Sequence, residues 1–80
     1  MIFGIGKGRK KGRGGWQVEV EHPEGVIFYI VATEDPIEAE NIVRTKAKIP
    51  VERDVLARKP VDEQTIKTFR LKPGEIVGPM

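Results

Sequence analysis

The chain has no cysteine and no serine, a single histidine and only five aromatic residues among its 80. Without cysteine there are no disulfides, thiolate metal sites or cysteine nucleophiles. Without serine as well, Thr, Tyr and Lys are the remaining nucleophiles, and none stands beside an evident base. The one imidazole, His22, has no second imidazole with which to share a metal. It falls inside a turn, where it reads as an exposed residue. No apolar run approaches the roughly 18 residues that span a bilayer. The opening Met1-Ile2-Phe3-Gly4-Ile5 is too short for a signal-peptide core, and its cations follow the apolar residues instead of preceding them. These absences set the expectation: a cytoplasmic, non-enzymatic protein with no cofactor, no metal and no membrane contact.

Charge is distributed unevenly. Five of the fourteen Lys and Arg residues (Lys7, Arg9, Lys10, Lys11 and Arg13) lie in residues 1–15, together with none of the twelve acids. That segment carries +5. Residues 16–80, with nine cations against twelve acids, carry −3, and the net +2 conceals the split. Such segregation points to an arm with its own task. Residues 4–15 contain six glycines, which cost backbone entropy to order, so residues 1–15 are expected to be a disordered basic arm ahead of one domain, residues 16–80.

From Trp16 the pattern changes to alternation. Trp16, Val18 and Val20 interleave with Gln17, Glu19 and Glu21, the period-two mark of a half-buried strand. His22-Pro23-Glu24-Gly25 supplies turn chemistry, and Val26 to Ala32 is an apolar, β-branched run. A hairpin with a glycine bulge is expected, with His22 opposite Val26, Val20 opposite Phe28 and Val18 opposite Ile30. In that register Ile27, Tyr29 and Val31 point away from the main core. They then form an apolar surplus to be covered by the C-terminal segment, by Phe3 and Ile5, by a second copy or by a partner protein.

Asp35 then reads as a helix N-cap, with Pro36 at the first helical position and Glu38 three residues after the cap. Ala39, Ile42, Val43 and Ala47 make an apolar stripe. Acids lead and Arg44, Lys46 and Lys48 come after them, in keeping with the helix dipole. Residues 50–64 read as one or two helical turns or an ordered loop. Thr65 to Leu71 reads as a third strand, and Glu75-Ile76-Val77 as a short edge strand after a Pro-Gly turn. The expected class is α+β: a small antiparallel sheet of about three strands in ββαβ order, one main helix on one face and a short second helix.

The run Ile30 to Glu40 resembles the strand-to-helix junction of many small ββαβ modules, including an archaeal ribosomal protein family known as LX. It covers under a fifth of the chain, rests on capping and alternation chemistry, and brings no functional residue with it.

Two functional expectations arise. The glycine spacing of the arm fits neither a dinucleotide fingerprint nor a Walker loop: a GxGxxG started at Gly4 or Gly6 meets Arg9 or Lys11 in its last position, and Gly6-Lys7 is followed by Gly8. Its five cations suit a phosphate chain instead, RNA or DNA bound without sequence preference. Trp16, at the junction, is a candidate for stacking on an unpaired base, against a plain role in the core. The alternative is a homodimer or protein-interaction module using Ile27, Tyr29 and Val31, with the arm as a solubilising tail.

Overall fold

The computed structural model describes residues 14–80. In chain order these form β1 (Gly15–His22), β2 (Gly25–Val31), α1 (Pro36–Lys46), β3 (Val55–Val61), α2 (Glu63–Thr68) and β4 (Ile76–Val77). The four strands make one antiparallel sheet in the order β3-β1-β2-β4. The class is α+β, with one main helix and a short second helix.

α1 forms for the reasons its sequence announces. The Asp35 carboxylate accepts from the backbone N–H of Ile37 at 3.0 Å and of Glu38 at 3.5 Å, satisfying donors that the first turn leaves unpaired. Glu38 does not reach back to the cap, as it does in a full capping box. It accepts the Thr33 hydroxyl instead, at 2.8 Å. Ala39 and Val43 are fully buried, with Ile42, Ala47 and Ile49 packed around them.

The hairpin is present, but its register differs by one residue from the expected one. His22 pairs with Gly25, not Val26, so the loop is the two residues Pro23 and Glu24. Gly25, at φ +141°, joins the strand in a backbone conformation that L-residues rarely adopt. Val20 then lies opposite Ile27, Val18 opposite Tyr29 and Trp16 opposite Val31. Because strand side chains alternate, a slip of one residue turns the whole of β2 over. Ile27, Tyr29 and Val31 therefore face α1 beside Val18 and Val20, and Ile30 and Ala32 face the other way.

The assignments of residues 50–71 are exchanged. The segment expected to be helix or loop contains strand β3, and Thr65–Leu71, expected to be a strand, contains most of α2. β3 lies along the outer side of β1, with an irregularity between Gln17 and Val18: Gln17 pairs with Lys59 and Val18 with Ala57. Arg58 is thus the extra residue of a bulge. The bulge changes which face later residues meet. Val55 and Ala57 pack under α1, and Val61 packs on the opposite face with Ile66.

That opposite face is covered by the chain itself. Ile66 of α2, Leu71 and Val77 pack over Ile30, Ala32 and Val61. The C-terminal segment is one of the expected covers, though the residues it covers are those of the other parity. The short edge strand at Ile76–Val77 is found as expected, paired with Ile30 and Val31.

Gly14 and Gly15, assigned from the sequence to the arm, belong to the domain. Gly15 is a buried residue of β1, paired with Val61. A β-carbon there would overlap the Val31 carbonyl oxygen and lie 2.8 Å from the Ile66 side chain, so only glycine lets the strands and α2 approach this closely.

Candidate nucleic-acid interface

Lys7, Arg9, Lys10, Lys11 and Arg13 lie outside the described residues, as do Phe3 and Ile5. What the structure places is the point where they attach. Gly14 lies against Val61 and Asp62, one residue ahead of the β1 strand that both sheet neighbours pair with. In sequence the basic run ends one glycine ahead of β1, one of the two inner strands of the sheet.

Gly14 also lines an open cleft of about 570 Å³, whose walls come from Ala32–Glu34, the first turn of α1, α2 and the Leu71–Gly74 turn. Three carboxylates border it: Glu34, Glu38 and Glu63. Two of these are engaged locally. Glu38 accepts from Thr33 at 2.8 Å, and Glu63 pairs with Lys67 at 3.5 Å. An acid-bordered cleft repels phosphate, so the cleft itself is a poor place for a nucleic acid.

Trp16 belongs to the core. Its ring is half-buried against the cluster under α1, and its indole Nε1–H donates to the Glu34 carbonyl at 2.8 Å. That bond joins the start of β1 to the turn leading into α1, and it occupies the one polar atom of the ring. With its polar atom bonded and its ring packed against the core cluster, Trp16 has a structural role in the domain.

Tyr29 and Val31 are 6% and 0% exposed, beneath α1, and Ile27 packs partly buried beside them. They do not form a surface on the far side of the sheet. The one-residue register shift moves the whole set inward, and with it goes the surface on which the interaction-module reading relied.

The rest of the domain's basic charge is spread over three places. On β3, Arg58 donates through Nε to Glu19 of β1 at 2.8 Å, and this partner holds the guanidinium above its ordinary pKa. At the end of α1, the Arg44 guanidinium donates to the carbonyls of Pro50 at 3.2 Å and Arg53 at 2.9 Å, tying the following loop to the helix. The third place is residues 64–74, which hold Lys67, Arg70 and Lys72 and no acid. Residue patterning alone puts this segment in a strand, where its cations give no sign of a shared surface.

Both helices end in the same way. After α1, Lys48 adopts φ +54° and the Ile49 N–H bonds back to the Arg44 carbonyl at 3.0 Å. After α2, Arg70 adopts φ +57°, its N–H bonds to the Lys67 carbonyl at 2.9 Å, and the Leu71 N–H bonds to the Ile66 carbonyl at 3.1 Å. These are Schellman turns, in which the left-handed position usually belongs to glycine. Here a cation occupies it in both.

Among the described residues, no group of three or more His, Asp and Glu side chains is placed to hold a metal ion, and no helix is long and apolar enough to cross a membrane. Comparison of the chain with protein-family models, curated proteins and solved structures returns no match.

Proposed function

We propose that this chain is a small, non-enzymatic accessory protein of the cytoplasm that binds RNA or DNA through its basic N-terminal arm. The observation that carries this reading is the charge segregation. Residues 1–13 hold five cations and no acid, and residues 14–80 carry a net −3. A body of the opposite sign favours the arm as the phosphate-seeking part and limits non-specific adhesion elsewhere. Attachment of the arm one glycine from the central strand supports the same reading, because it keeps any bound strand close to the folded domain.

The affinity then comes from counterion release and depends steeply on salt. With all five cations on phosphates, log Kobs plotted against log salt has a slope of about −3.5 for a single strand and about −4.5 for a duplex. The test compares the full chain with a variant carrying Lys7→Gln, Arg9→Gln, Lys10→Gln, Lys11→Gln and Arg13→Gln together. Substitution is preferable to truncation through residue 15, which also removes Gly15 from β1. The proposal expects the variant to lose most of its affinity and its salt dependence; unchanged binding by the neutralised arm overturns it.

A further inference from the structure

The face of the sheet opposite α1 is only half covered. Ile66 of α2, Leu71 and Val77 close one end of it over Ile30, Ala32 and Val61. Toward the hairpin the same face continues, and no helix among the described residues packs over it. Alternation places Val26 and Phe28 of β2, Glu19 and Glu21 of β1 and Leu56 of β3 on this open half. Val26 is 44% and Leu56 43% exposed, and Phe28, half-buried, belongs to neither core cluster.

The contrast with the interior is one of size. The largest fully buried side chains of the domain are four valines, Val18, Val20, Val31 and Val43. Phe28 and Leu56 are larger, yet they stand on the open half. A domain this small has stability to gain from covering them.

The acid in the middle of this surface is neutralised. Glu19 lies opposite Leu56 on one side and Phe28 on the other, and its carboxylate accepts Arg58 Nε at 2.8 Å. Arg58 is the extra residue of the bulge, and the bulge is what aims it at Glu19. The row from Leu56 to Phe28 therefore carries no net charge.

Strand addition is obstructed at both edges of the sheet. On β3 the Ala57 N–H is taken by Glu40, and Pro60 has none to offer. On β2, Phe28 exchanges backbone bonds with Met80 at 2.9 and 3.4 Å. A partner has to meet the face.

Charge selects which partner. Glu21, opposite Val26, lies at the hairpin end of the open half, and Lys59, opposite Gln17, lies toward the α2 end. An apolar surface with an acid at one end and a base at the other is complementary to its own copy turned end for end. Shape agrees with charge, because α2 stands up from the face as a step. Two copies so turned fit open half against open half, with the hairpin of each beside the α2 of the other.

We infer that this half-face is the contact between two copies of the chain. Val26, Phe28 and Leu56 form its centre, and Glu21 of each copy meets Lys59 of the other. The inference goes beyond the arm reading and uses only residues of the folded domain.

Sedimentation velocity on the full chain, free of nucleic acid and over a range of concentrations, tests this. A monomer–dimer equilibrium is expected. Val26→Lys with Leu56→Lys is expected to raise the dimer Kd by about 100-fold or more, because two lysines from each copy enter the apolar centre. Ile37→Lys with Val51→Lys, at exposed apolar residues off this face, is expected to leave it unchanged. Glu21→Lys and Lys59→Glu, both at exposed positions that leave the monomer fold intact, are each expected to weaken the dimer, and the two together to restore it. A full chain that stays monomeric at every concentration overturns the proposal, and so does a dimer that survives the Val26 and Leu56 changes. A charge swap that fails to restore association overturns the end-for-end pairing of two copies.

Discussion

The Glu40 carboxylate of α1 accepts the backbone N–H of Ala57 in β3 at 2.8 Å. The bond crosses from the main helix to the edge strand at the bulge, where the sheet ladder is interrupted and a strand N–H lacks its regular partner. A side chain thus finishes the hydrogen bonding that the sheet leaves incomplete. It also fixes how α1 sits over β3.

Glu40→Ala strands that N–H in a partly buried position, so a loss of about 1–3 kcal/mol is expected, whereas Glu40→Gln keeps an acceptor and loses less. Urea denaturation of the two variants gives the comparison. Equal stability of Glu40→Ala and wild type removes the bond from the account of why β3 docks.

Gly15→Ala inserts a methyl group into the Val31 carbonyl and the Ile66 side chain. Backbone cannot swing aside as a flexible side chain does, so the cost is expected at the upper end of about 1–3 kcal/mol, or beyond it. A wild-type melting temperature for Gly15→Ala contradicts the placement of Gly15 in β1.

Lys48→Gly and Arg70→Gly release left-handed strain of roughly 1–2 kcal/mol. Against that stand the greater freedom of an unfolded glycine, about 0.5–1 kcal/mol, and the lost attraction of a cation to a helix C-terminus, about 0.3–1 kcal/mol. The terms nearly cancel, so a change of no more than about 1 kcal/mol in either direction is expected from each, read from denaturation midpoints. Clear destabilisation by either variant argues against the left-handed conformation at that residue.

Tyr29→Glu separates the two possible hairpin registers. With Tyr29 beneath α1 and 6% exposed, a carboxylate has to be buried without a partner, and the cooperative unfolding transition is expected to be lost. A folded variant with wild-type stability puts Tyr29 on an open face and restores the other register.

Asp62 caps α2, accepting from the Thr65 N–H at 2.9 Å and the Thr65 hydroxyl at 2.8 Å. These bonds favour the ionised form and lower its pKa below the ordinary aspartate value of about 3.9. A depressed folded-state pKa gives stability that is complete above the unfolded value and is lost as pH falls through the folded one. Asp62→Asn keeps a capping acceptor but cannot be protonated in this way. The stability gap between wild type and Asp62→Asn is therefore expected to stay constant above about pH 5 and to narrow only below about pH 4. A gap that closes nearer neutrality assigns the effect to another group.

Much of this architecture is written locally. The alternation from Trp16 to Glu21, the turn residues Pro23 and Gly25, and the cap formed by Asp35 and Pro36 act within a few residues of themselves, so the hairpin and α1 are legible in the sequence alone. The stripe Ala39, Ile42, Val43 and Ala47 likewise names the face that packs. The five arm cations, and the −3 balance of the remaining chain, are composition and need no fold to be seen.

The tertiary structure decided what depends on partners distant in sequence. β3 holds Arg58, Lys59 and Pro60 because an edge strand needs only one paired side, and it reads as a strand only once β1 is beside it. Phe69 and Leu71 alternate as a short strand would, and the Asp62 cap with the packing of Ile66 on Ile30 and Ala32 settles residues 63–68 as a helix instead. The hairpin register turned on one residue of loop length, a difference too small for turn chemistry to resolve when both faces of β2 are apolar. Packing against α1 on one side and α2 on the other chose between them. That choice buried Ile27, Tyr29 and Val31 and drew Trp16 into the core. The helical fold of residues 63–68 left Phe69 and Arg70 at the surface.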